Sequence, residues 1–171
     1  MSLFRLPLLL LALTLSVLTA PLARAEVILS FYSHEFGDRF PHAFVTLKGK
    51  WDATGDAVDL NYGFTATAVS PAVLMGSVKG YVQVKDAAYI AKSNRQFSVK
   101  LDDAGLRRVL AKVQEWQDRA QPSYNLGKRN CVHFVMEIAE TVGLAVNRKS
   151  KYFKKPRSFL EEVKSLNPTL K

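Results

Sequence analysis

The spacing of apolar residues changes once along this chain, and that change restricts the folds open to it. Up to Leu101, apolar and polar residues alternate in short runs, the period of strands; after Asp102 they recur at threes and fours, the period of helices. Residues 27–32, 43–47 and 57–64 read as strands, with Lys48-Gly49-Lys50 turning the chain into the loop between the last two. Residues 71–75 read as one helical turn, and residues 78–85 and 96–101 as two further strands. Asp102-Asp103 then caps a helix whose Leu106, Val109, Leu110, Val113 and Trp116 share one face, and Pro122 lies beyond its end. Asn130 is an N-cap for a helix over 131–142 that Gly143 can terminate, and a last helix begins near Pro156 with Phe159, Leu160, Val163 and Leu166 on one stripe. No repeat, low-complexity tract or second domain interrupts this order.

The first residues follow a different logic. Arg5 supplies a positive charge, residues 6–18 are almost wholly apolar, and Ala23-Arg24-Ala25 has the small-x-small form cut by signal peptidase. The apolar run is shorter than the roughly 20 residues a membrane-spanning helix requires, so residues 1–25 read as a secretory signal rather than an uncleaved anchor. Residues 26–171 then form a single domain, exported to the periplasm or secreted, and long enough to bury a core without covalent staples. A monomer is the expected state.

Export makes the cysteine content informative. The 171-residue chain has one Cys, so no internal disulfide is available. A lone thiol in an oxidising compartment is either buried or used. Cys131 directly follows the Asn130 cap and so sits in the first turn of its helix. Free main-chain N–H groups and the positive end of the helix dipole lower a thiol's pKa there, and the same N–H groups can face an oxyanion forming beside the sulfur. A thiolate nucleophile uses both effects; a structural Cys needs neither.

The segment Tyr124-Asn125-Leu126, followed by Asn130-Cys131-Val132-His133-Phe134, resembles the nucleophile motif of the circularly permuted NlpC-type papain-like hydrolases. It is especially similar to the Asn-Cys-x-His-Phe motif of the lecithin–retinol acyltransferase branch. The resemblance spans roughly residues 31–143. It implies an α+β fold in which a curled antiparallel sheet packs against the helix carrying the nucleophilic Cys. It also implies a catalytic His on an early strand ahead of that helix, and His42-Ala43-Phe44-Val45 is a His leading into an apolar strand.

On that reading Cys131 is the nucleophile and His42 its base, taking the thiol proton and returning it to a leaving group. His133 is nearer in sequence, but two residues along a helix turn a side chain roughly 200° away, which points it behind the site. His34 lies in the polar stretch His34-Glu35-Phe36-Gly37-Asp38-Arg39, read as a loop that could line a cleft or supply an alternative base. The resemblance also implies a polar residue on the strand paired with that of His42. Asp59 and Asn61 share a face of residues 57–64, and Asn61, deeper in the strand, is preferred. No His stands there, as one does in the acyltransferase branch. Tyr124, Asn125 and Asn130 are further polar candidates for the oxyanion, with Asn130 better suited to capping.

Nothing in the sequence has metal-ligand spacing, a phosphate loop or a dinucleotide fingerprint, so no cofactor or metal is expected. The chain is basic, with 24 Lys and Arg against 15 Asp and Glu, and much of the excess lies in residues 148–157. Such a cluster is a solvated loop or a contact for an anionic surface. Export argues against nucleic acid. The expected chemistry is acyl transfer through a thioester, on amide bonds of cell-wall peptides as endopeptidase or amidase. Lipid acyl chemistry at a membrane surface, and a non-catalytic binding domain on the same fold, stand as the alternatives.

Overall fold

A computed structural model of the chain describes residues 26–35, 40–68 and 70–170, so the signal-like segment lies outside the described residues. The architecture is α+β. Strands β1 (Val27–His34), β2 (His42–Lys50), β3 (Ala57–Ala66), β5 (Gly80–Gln83) and β6 (Asn94–Leu101) form one antiparallel sheet in the order β5-β3-β2-β1-β6. The short strands β4 (Ser77–Val78) and β7 (Tyr124–Asn125) pair separately. The helices are α1 (Ala72–Met75), α2 (Ala87–Ala91), α3 (Asp103–Gln117), α4 (Cys131–Thr141) and α5 (Pro156–Leu166). No helix among the described residues is long and apolar enough to cross a membrane.

Alternation sorts the sheet into two faces. Leu29, Phe31, Val45, Leu47, Phe64 and Phe97 point to one side, where α3, α4 and α5 cover them with Leu106, Val109, Trp116, Phe134, Ile138 and Phe159. Phe31 stacks on Phe97 at 4.7 Å, and Trp116 meets Phe64 and Phe134 edge-on at 4.7 and 5.4 Å. Trp116 also donates its indole N–H to Glu137 at 2.9 Å, and Arg119 holds the same carboxylate oxygen at 2.9 Å, which ties α3 to α4. Deleting an aromatic ring from such a core typically costs about 3–5 kcal/mol. The three long helices start where the spacing predicts. Asp102 accepts the Gly105 N–H at 2.7 Å, Pro156 opens α5, and Gly143 takes the positive φ of 82° just after α4.

The opposite face is aromatic and polar. Tyr32 and Phe44 stack at 5.2 Å, and Tyr89 of α2 lies over His34 and Phe44 at 4.1 and 5.8 Å. Helix α2, capped by Asp86, has no counterpart in the sequence expectation, because five residues are too few to establish a helical period. The single strand expected over 78–85 is divided instead. Gln121 bonds the main-chain N–H and C=O of Gly80, at 3.0 and 2.9 Å, and β4 leaves to pair with β7.

Candidate active site at the parting of two strands

Strands β2 and β3 separate at one end of the sheet. Their ladder runs from Lys50 opposite Ala57 up to Phe44 opposite Gly63 and stops. Above that point β2 continues to His42 against β1, and β3 continues to Ala66 against β5. His42 stands beside this notch on the aromatic face, and Cys131 meets β2 from the helix side, at the main-chain N–H of Ala43.

Cys131 is the first residue of α4 and is buried, 7% exposed. Main-chain hydrogen bonds from Ala43, Val132 and Cys131 itself reach its sulfur. The Ala43 bond crosses from the sheet to the helix start. These bonds and the nearby charge of Lys85 favour the thiolate, but burial outweighs them and pushes the thiol up to about 11. The expectation of a depressed thiol pKa is therefore corrected. Position at the helix start supplies the donors, but the depth of the site determines the balance.

Asn130 explains why the helix begins at this point. Its side-chain oxygen accepts the N–H groups of Val132 and His133 at 2.8 and 3.3 Å, while its amide donates to the carbonyls of Leu126 and Phe153, both at 2.8 Å. With every site on its amide used, Asn130 is a cap that clips two loops to α4, not an oxyanion donor. His133 completes a capping box with it, stacks on Phe153 at 4.3 Å, and has its pKa lowered by burial to about 4. It lies behind the site, as the helical geometry predicts.

His42 is also 7% exposed, and its Nε2 has no hydrogen-bond partner among the described residues. Burial, then the ammonium of Lys85, then His34 lower its pKa to about 3, so the imidazole is neutral at physiological pH. Its ring stands over Gly63 on the aromatic face and lies parallel to Phe44 at 6.2 Å. Cys131 meets β2 at Ala43, one residue from His42, and no hydrogen bond joins it to Nε2.

Neither residue expected to orient His42 does so. Asn61 spends both ends of its amide on Lys85, accepting its N–H at 2.6 Å and donating to its C=O at 3.0 Å. Asp59 pairs with Lys48 at 3.4 Å on the exposed surface. Strand register accounts for both: Asn61 lies opposite Thr46 and Asp59 opposite Lys48, successively farther from His42. His34 is not in a loop but is the last residue of β1, directly opposite His42. Its Nδ1 bonds to Ser93 at 2.9 Å, and residues 36–39 lie outside the described residues.

Tyr124 does reach the site. Burial, and then negative charge on Cys131, raise its phenol well above the ordinary tyrosine value, so it stays protonated. Asn125 is a turn residue whose side chain accepts the N–H groups of Gly127 and Lys128, both at 3.0 Å. Gly63, the Ala43 N–H and Lys85 are contributors that sequence reasoning missed. The one available signal was a glycine inside a strand pattern, which often marks a close approach. Compared with family models, curated proteins and solved structures, the chain matches none.

Proposed function

We propose that this chain is an exported thiol hydrolase of the permuted papain-like class, acting on amide bonds of cell-wall peptides through Cys131 and His42. One observation carries the reading. The buried sulfur at the start of α4 receives a main-chain hydrogen bond from Ala43, the residue next to a His42 whose Nε2 is buried and has no partner among the described residues. A buried polar atom without a partner in a native structure calls for an explanation, and a proton acceptor awaiting a thiol or substrate is one.

The resting pair is neutral thiol and neutral imidazole. As the sulfur attacks the amide carbonyl carbon, its proton passes to His42 and the carbonyl oxygen becomes an oxyanion. The N–H groups at the start of α4 and the Tyr124 phenol are its donors. His42 then gives the proton to the departing amine, leaving a thioester. Water loses a proton to His42 as it attacks the thioester carbon, and the thiol regains that proton as the carboxylic acid leaves. Nε2 must close on the sulfur in the working complex, as catalytic contacts often tighten only with substrate bound.

A second reading, acyl chemistry at a lipid surface, is favoured by α1. It buries nothing and leaves Leu74 76% and Met75 88% exposed, just ahead of the strand that pairs with Tyr124. The basic segment is a weaker argument for an anionic surface, since Arg148 and Arg157 are already paired with Glu140 and Glu161.

The test couples iodoacetamide labelling of Cys131, in the wild type and His42→Ala, to incubation with purified cell wall and with lipid vesicles. Labelling near pH 7.5 that falls at least about tenfold in the variant supports the pair. Soluble peptides released by the wild type and not by Cys131→Ser support the wall substrate, whereas released fatty acid supports the second reading. Labelling that follows an ordinary deep thiol and ignores His42, with no product from either substrate, leaves a binding domain.

A further inference from the structure

Tyr62 and Phe64 flank Gly63 in β3 and face the helices, so position 63 faces the aromatic side of the sheet beside His42 and Phe44. A glycine there is not required by the backbone, because Gly63 is not among the residues with positive φ. Space is what requires it. A methyl carbon at position 63 would stand 2.5 Å from His42 Nε2, 3.3 Å from His42 Cε1 and 3.0 Å from Phe44 Cβ. Non-bonded heavy atoms settle at about 3.5–4 Å, so the imidazole could not keep its place. Among the described residues no side chain holds that ring by a hydrogen bond through Nε2, and Asn61 and Asp59 are engaged elsewhere.

We propose that Gly63 is a positioning residue of the Cys131–His42 pair, its bare backbone forming the seat that sets the imidazole over the notch between β2 and β3. The imidazole is thus oriented by shape, with Gly63 beneath it and Phe44 beside it. The seat is a matter of packing alone; its bearing on catalysis rests on the proposed function.

The experiment is a double-mutant cycle of Gly63→Ala and His42→Ala, read by thermal unfolding and by Cys131 labelling near pH 7.5. Gly76→Ala, where nothing lies within 4 Å of the added carbon, is the control. Gly63→Ala is expected to lower Tm by roughly 5–10 °C, and His42→Ala to recover most of that loss by removing the ring. If Gly63→Ala fails to fold and the double variant folds, the seat is equally supported. An equal loss in both backgrounds, or failure of both to fold, overturns it. In labelling, Gly63→Ala is expected to reproduce the deficit of His42→Ala; full labelling beside a deficient His42→Ala overturns the positioning role. Labelling unaffected by His42→Ala refutes the pair itself, and the cycle in Tm then still decides the seat.

Discussion

Acid should destabilise this protein through His42, by an amount that follows from the burial of its ring. The imidazole titrates at 6.5 in the unfolded chain and at about 3 in the folded one. As pH falls below 6.5 the unfolded state binds the proton first, so stability is full above 6.5 and is lost on the way down to 3. At about 1.4 kcal/mol per pH unit the whole window is worth roughly 5 kcal/mol, of which about 2–3 kcal/mol falls between pH 6.5 and 4.5. Small domains are stable by about 5–15 kcal/mol, so this one group removes a large share. Urea unfolding from pH 7.5 to 4.5, in the wild type and in His42→Gln, measures it. The wild-type curve should fall more steeply by the amount given, while the offset at pH 7.5 reports what glutamine costs in the same place. His133 titrates in the same direction and is present in both proteins, so the difference in slope belongs to His42. Parallel curves would show that the ring is not held neutral and buried, and the site as described would fall with it.

Alkali should act through Cys131 with the opposite sign. Its folded-state pKa of about 11 against a reference of 9.0 keeps stability full below pH 9 and loses roughly 3 kcal/mol as pH rises to 11; Cys131→Ala should flatten that fall in urea titrations. Asn130→Ala removes the cap oxygen that accepts two N–H groups and the amide that donates two further bonds, and a loss of about 2–4 kcal/mol is expected by chemical denaturation. Asn61→Ala should cost about 1–3 kcal/mol by freeing the Lys85 main chain, yet leave the pH dependence of Cys131 labelling unchanged. A changed labelling profile would return Asn61 to the site.

Local chemistry was readable from the residues because it depends on near neighbours. The strand and helix periods, the Asp102 and Asn130 caps, the Pro156 start and the Gly143 stop all act within a few residues of themselves, and the three long helices and the first three strands formed where their patterns stood. The placement of Cys131 at a helix start belongs to the same class. What sequence could not reveal depended on register and depth. Asp59, Asn61 and Gly63 share one face by alternation, but only the pairing of β2 with β3 decides which of them meets His42, and it is the one without a side chain. The pKa values of the pair were likewise undecided until packing set their burial, because desolvation comes from the whole surrounding fold while cap and dipole come from the turn. The sequence by itself determined the long helices, the first three strands and the residue types able to do chemistry; the tertiary structure alone decided how the 78–85 segment divides, which faces meet and how far from water, since contact and desolvation are set by distant parts of the chain.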